Sequence, residues 1–299
     1  MGVINRSQVW AKQPQYPVGL APGWRDGIIG VWKPFAGKTG VAESFGRIGG
    51  DKTDVAGKFP FHGYYVNGSS ELSTVPCVDG LAFSSDGSTQ KGFYEGLVGN
   101  GSHFDTSKDF TIAARFLLRT VASEQIILGG FNQAQVPIWK YGWGLIADST
   151  TIRANASSNS TTQNASGGPI VANQFYTAVC VKRGTTVKLF LNRVMTSATC
   201  SSIPHVGYYM AFLSDGNSRT TFGGGADGML SLALLAQRAW SDARAHEFCA
   251  NPWQIFQPIT RRLYFDVAAA GGRIMSSLTR HGGLAGSGGI AGHGGGLAS

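Results

Sequence analysis

Apolar and polar positions alternate along this chain in short runs. In residues 110–116 (FTIAARF), Phe110, Ile112, Ala114 and Phe116 fall on one face of an extended segment, and Thr111, Ala113 and Arg115 on the other. Val187, Leu189 and Leu191 alternate in the same way with Lys188, Phe190 and Asn192. Further strand-like runs occupy residues 27–35 (GIIGVWKPF), 125–131 (QIILGGF), 141–147 (YGWGLIA) and 176–181 (YTAVCV). The last of these pairs with 187–191 across the turn Arg183-Gly184-Thr185, which predicts a β-hairpin. Gly, Asn, Asp and Ser punctuate the runs at the spacing of an all-β sandwich or jelly roll. One segment departs from period two. Ser241 as N-cap, Asp242 at the positive end of the helix dipole and the stop at Asn251-Pro252 predict a single short helix. Residues 149–168 are nearly all Ser, Thr, Asn, Ala and Gly, which predicts a surface excursion without core residues. Residues 1–25 are polar and carry Pro14, Pro17 and Pro22, which predicts an irregular arm.

Composition narrows the class. The chain has 299 residues, 43 of them Gly, with 14% charged and 11% aromatic side chains. So much Gly argues against a helical bundle, and so many aromatics against disorder. The longest apolar stretch, 229–236, is far short of the ~20 residues that cross a bilayer. Residues 1–22 hold no apolar block, so synthesis in a cytoplasm without export is expected. Cys77, Cys180, Cys200 and Cys249 lack any Cys-x-x-Cys spacing and are expected as free thiols, with a Cys180–Cys200 bridge as the alternative. The net charge of +8 is scattered, its longest runs being Lys182-Arg183 and Arg261-Arg262. Nucleic-acid binders concentrate their charge, so no nucleic-acid partner is expected. Attraction to anionic glycans is compatible with the charge.

The order of segments resembles the concanavalin A-like jelly rolls of the laminin-G type, in the version common in bacteriophage and bacterial proteins. GLAFSSDGS (80–88) resembles the family's opening strand, and KDFTIAARF (108–116) a strand in which Arg115 replaces the usual Trp. QFYTAVCVKRGTTVKLFLNRV (174–194) is similar to the central hairpin, with Asn192-Arg193 where the family has Asn-Gly. ADGMLSLALLAQRAWSDARAHEFCANPWQIF (226–256) matches the closing strand, helix and Asn-Pro-Trp, with Arg244 in place of the capping Glu. That closing combination is typical of phage virion proteins. The resemblance implies a jelly roll, residence in a virion, and a structural or receptor-binding role as a decoration or fibre component contacting other virion proteins in a homo-oligomer. It also implies loop aspartates as calcium ligands, for which Asp215 and Asp227 are the candidates; no other cofactor is expected.

Candidate chemistry is sparse. Glycoside hydrolysis needs two carboxylates ~5–10 Å apart. None of Glu43, Glu71, Glu95, Glu124 and Glu247 has a second acid within two residues, so no enzyme is expected. The alternative function is a carbohydrate-binding adhesion module recognising host surface glycans. Trp139, Tyr141 and Trp143 are the candidate aromatic platform, with Asp148, Asp215 and Asn217 as polar groups; the same alternating aromatics also suit a core.

The last residues differ from the rest. Units of six recur in GGLAGS (282–287), GGIAGH (288–293) and GGGLAS (294–299). Leu278, Leu284 and Ile290 recur every six residues and Leu297 seven further on, so in an extended chain the first three share one face. Such a segment suits docking on a partner chain. The expected organisation is an arm (1–25), a jelly roll (26–258) and a Gly-rich docking tail (259–299).

Overall fold

The computed structural model describes residues 18–34, 70–71, 73–87, 90–94, 104–121, 124–131, 142–157, 164–200, 210–213, 225–258, 266–267 and 274–275. The chain divides into two units, Met1–Ile259 and Thr260–Ser299. In the first, the strands are β1 (Val18–Leu20), β2 (Ile28–Trp32), β3 (Ser70–Glu71), β4 (Ser73–Cys77), β5 (Gly80–Asp86), β6 (Gln90–Tyr94), β7 (Phe110–Leu118), β8 (Glu124–Phe131) and β9 (Gly142–Asp148). They continue as β10 (Thr151–Ser157), β11 (Asn164–Gly167), β12 (Phe175–Arg183), β13 (Thr186–Leu191), β14 (Val194–Thr199), β15 (Met210–Phe212), β16 (Asp227–Ala236) and β17 (Phe256–Pro258). In the second unit, β18 (Asp266–Val267) pairs with β19 (Ile274–Met275).

The fold is an antiparallel β-sandwich. One sheet runs β11-β10-β9-β8-β15-β6-β3, and the other β14-β13-β12-β7-β16-β5-β4, with β2 also on β16. Among the described residues the strand pairings are antiparallel apart from β3–β6, and one isolated parallel bridge joins Ile126 and Gly225. The predicted hairpin is β12–β13, closed by Gly184-Thr185 between Arg183 and Thr186. The next turn, Asn192-Arg193, keeps positive φ at both residues (45° and 78°), the mirror-image geometry of tight hairpins, although Arg193 stands where Gly is preferred. Asn192 stabilises it through both termini of Thr177: its Oδ1 accepts from Thr177 N at 2.8 Å and its N–H donates to Thr177 O at 2.9 Å.

Two cores result. Phe110, Ile112, Ala114 and Phe116 face the space between the sheets with Leu128, Leu145, Cys180 and Leu189. The other face of the same strands meets a second layer. There Ala113, Val179, Phe190, Leu232 and Leu234 pack under Trp24, Trp240, Phe248 and Trp253. Phe248 belongs to helix α1 (Asp242–Ala250), which buries Ala245, Phe248 and Cys249 at helical spacing. Ser241 Oγ accepts from Arg244 N at 3.3 Å, so the cap forms without the family's Glu. Asn251 ends the helix and caps the 3-10 turn Pro252–Ile255 by accepting from Trp253 N.

Two expectations are corrected. Residues 18–25 are not an irregular arm: β1 pairs with β17, and Trp24 lies 5.2 Å from Trp240, ring centre to ring centre. Residues 149–168 are not a coreless excursion. Their described part forms β10 and β11, whose Ile152, Ala154, Ala156 and Ala165 point into the first core. Small side chains suffice there because every second position faces inward. All four cysteines are unbridged.

Candidate functional site

The aromatic platform expected from residues 139–143 is not what Trp143 forms. Trp143 is fully buried, its ring 4.9 Å from Phe104 and 6.5 Å from Phe110, so it is core. Asp148, at the end of β9, is held by Arg153 of the adjoining strand. Trp139, Tyr141, Asp215 and Asn217 lie outside the described residues, as do Leu278, Leu284, Ile290 and Leu297 of the tail. The calcium candidate Asp227 accepts from Arg119 Nη1 at 2.9 Å, so a guanidinium already neutralises it. Among the described residues no group of three His, Cys, Asp or Glu side chains is placed to hold a metal ion.

A different set of residues converges between the β12–β13 hairpin and the start of α1. Val181 pairs with Lys188, and Arg183 with Thr186, so these four side chains share the hairpin face turned toward the helix. With Trp240 and Asp242 they line a small open groove of about 120 Å³. Trp240 and Val181, both buried, form its floor. Lys188 Nζ bridges the two carboxylate oxygens of Asp242 at 2.8 and 2.7 Å. Arg183 Nη2 donates to the carbonyls of Trp240 (3.2 Å) and Ala239 (3.5 Å). This fixes the guanidinium at the rim and leaves its other donors for a ligand.

Behind the floor stands Arg244, stacked 4.7 Å from the ring centre of Trp24 and 5.0 Å from that of Trp240. Its buried Nε and Nη2 have no hydrogen-bond partner. Burial, and next the charge of Arg238, lower its pKa below the ordinary value. The stretch from Arg238 to Arg244 with the hairpin thus brings Arg183, Lys188, Arg238 and Arg244 into one region, against Asp242, the Asp26 paired with Arg238, and Glu247 beside Arg244. Such a surface favours an anion, and a planar guanidinium favours a carboxylate.

Sequence reasoning missed this groove. Lys188 and Asp242 are 54 residues apart, and only the fold joins them. The available signal was the Lys182-Arg183 pair at the end of a strand leading into a tight turn.

No protein-family model and no curated protein matches the sequence. Solved structures do resemble the fold. A Trypanosoma rangeli sialidase in complex with 2,3-difluoro-KDN is 12% identical with a TM-score of 0.51, over 78% of this chain and 36% of that one. The binding domain of Paraclostridial Mosquitocidal Protein 1 is 10% identical with a TM-score of 0.50, over 75% of this chain and 52% of that one. The binding domain of Botulinum Neurotoxin DC in complex with SialylT is 9% identical with a TM-score of 0.51, over 75% of this chain and 51% of that one. The chain therefore spans between about a third and about half of these proteins' lengths, and at such identities the likeness is one of fold.

Proposed function

We propose that this chain is a non-catalytic carbohydrate-binding module whose groove between the β12–β13 hairpin and α1 takes an acidic, carboxylate-bearing sugar. The observation that carries this reading is Arg183, held at the rim of the groove by two backbone carbonyls, beside a Lys188 already paired with Asp242. The likeness in fold to a toxin binding domain seen with SialylT supports the choice of ligand class. Against a hydrolase stand the aspartates: Asp79, Asp148, Asp227 and Asp242 are each paired with Arg or Lys. A hydrolase needs a carboxyl held protonated near neutral pH, whereas Asp105 is shifted downward, chiefly by its hydrogen bond from Ser107.

The test is a glycan array followed by calorimetry on a sialylated, a uronate-bearing and a neutral glycan. Charge-assisted hydrogen bonds contribute ~1.5–3 kcal/mol, so Arg183→Ala is expected to weaken acidic glycans at least ~10-fold. Binding of neutral glycans alone, or unchanged binding by the variant, refutes the reading. Release of sugar from any of them refutes its non-catalytic part.

A second reading concerns where the module sits: a phage virion, assembled in the host cytoplasm, with the C-terminal unit docking on a partner chain. The similarity of residues 226–256 to virion proteins and the division of the chain after Ile259 support it. Truncation after Thr279 is expected to leave a folded sandwich that fails to incorporate. Normal incorporation refutes the docking role.

A further inference from the structure

Lys188 and Asp242 both line the groove, and their side chains are 29% and 47% exposed, so solvent reaches the pair. Of the three ammonium donors of Lys188, two are taken by the Asp242 carboxylate, at 2.8 and 2.7 Å. A carboxylate of the chain itself therefore sits on a cation that an acidic ligand needs. Asp242 also has a second source of stabilisation. It is the first residue of the nine-residue helix α1, directly after the N-cap Ser241, where the helix dipole favours a negative charge. Arg183 is the diagonal neighbour of Lys188. Val181 pairs with Lys188, and Arg183 lies two residues further along the same face of β12. Such diagonal positions are ~7–8 Å apart, within reach of long side chains. Nη2 of Arg183 is engaged by the carbonyls of Trp240 and Ala239, and its Nε and Nη1 remain for a ligand.

We propose that Asp242 is an internal competitor, which holds Lys188 until a ligand carboxylate displaces it and so sets which anions the groove accepts. The role rests on the carbohydrate-binding reading of the same groove, because the displacing group is the carboxylate of that ligand. Exchanging one carboxylate for another on Lys188 leaves the number of charge-assisted hydrogen bonds unchanged. A small free carboxylate gains nothing by the exchange, since Asp242 is tethered and gives up no translational freedom. A carboxylate set between Lys188 and Arg183 gains the guanidinium contact as well. A sugar ring carrying that carboxylate adds contact with the apolar floor of Val181 and Trp240. The displaced Asp242 is not stranded, because it is close to half exposed and stays at the start of α1. The pair thus turns away simple carboxylates and yields to an acidic sugar.

Calorimetry on the full chain and on Asp242→Asn tests this, with acetate, sialyllactose, a glucuronate disaccharide and lactose as probes. Asp242→Asn is expected to bind an acidic glycan ~5-fold tighter, the effect of removing a part-exposed ion pair that competes. Lactose is expected to be unaffected, and acetate to bind the wild type far more weakly than the acidic glycan. Asp242→Ser serves if the Asn variant does not fold. The gain is expected to vanish in a Lys188→Gln background. Glu247→Gln removes an acid from the same helix without freeing Lys188, and at ~0.15 M salt, where screening is strong, it is expected to change affinity less than ~2-fold. Unchanged or weaker binding by a folded Asp242 variant overturns the competitor and leaves the carbohydrate reading standing. An equal gain in Glu247→Gln, or a gain that persists with Lys188→Gln, does the same. Acidic glycan bound by Asp242→Asn alone supports the competitor in its strongest form, a groove that the intact pair keeps shut. No acidic glycan bound by either chain overturns the carbohydrate reading and the competitor together.

Discussion

The substitution Asp79→Ala addresses a largely buried, bidentate ion pair in the sandwich. Arg115 stands where the resembled family has Trp, and it needs a counter-charge. Asp79, in the turn between β4 and β5, supplies it: Nε donates to Oδ2 at 2.6 Å and Nη2 to Oδ1 at 2.8 Å. Arg115 Nη1 also donates to Thr177 Oγ1 at 3.2 Å, and the guanidinium lies 5.2 Å from the Phe175 ring centre. Ser231 completes the cluster. Leu230 and Leu232 of β16 sit opposite Phe116 and Arg115, so Ser231 between them is the extra residue of a β-bulge. Its hydroxyl lies 3.2 Å from both Asp79 Oδ2 and the Arg115 carbonyl.

Removing one partner of a buried pair costs ~3–5 kcal/mol because the other charge is stranded. The Asp79 side chain is 9% exposed but that of Arg115 21%, so water reaches part of the stranded guanidinium and ~2–4 kcal/mol is expected. Urea titration should show this as a lower midpoint at unchanged slope. Adding Arg115→Met removes the stranded charge and should recover part of the loss, a coupling that two independent sites would not show. A loss below ~0.5 kcal/mol for Asp79→Ala, or full additivity in the double variant, refutes the reasoning.

Arg193→Gly should stabilise the chain by ~0.5–1 kcal/mol in the same titration. It relieves the cost of an L-residue at φ 78° but gives back part of the gain as glycine entropy. Stability should rise from pH 7 to 9: burial lowers Lys33 to about 7 from 10.5, so the unfolded chain binds more protons over that range. Above pH 9 it should fall, because burial pushes Cys249 up to about 11 and also raises Cys180 and Cys200, while unfolded thiols ionise near 9.0; urea midpoints at pH 7, 9 and 10.5 check both limbs. Of the four unbridged thiols, half-buried Cys77 should react first with a thiol reagent in the native chain, and unfolding without reductant should expose four.

Where local alternation and capping carry the signal, the fold was legible. The hairpin β12–β13, the strands β7, β8 and β9, and the helix begun by Ser241 follow from neighbours in sequence. Pairing across long separations was not. β1 has three residues and no period, and its partner β17 lies near the other end of the sandwich's chain. Residues 151–157 hide a strand because their inward positions are Ile152, Ala154 and Ala156, small enough to pass for loop composition. Trp143 shows the limit for sites: alternating aromatics fit a sugar platform and a core equally until burial decides.

The near-continuous apolar runs of β7 and β16 carry a further meaning. A strand of a one-sided sheet alternates, whereas a strand buried on both faces does not. In β16, Leu230 and Leu235 belong to the inter-sheet core, and Leu232 and Leu234 to the layer under Trp24, Trp240 and Trp253. On the other sheet, Ile126 and Ile146 pair on the face opposite Leu145 and are buried too. Broad sheet faces are therefore taken up by packing at these positions. What the described residues leave for recognition is at the margins, at the end of a hairpin where Arg183 and Lys188 reach past the second core.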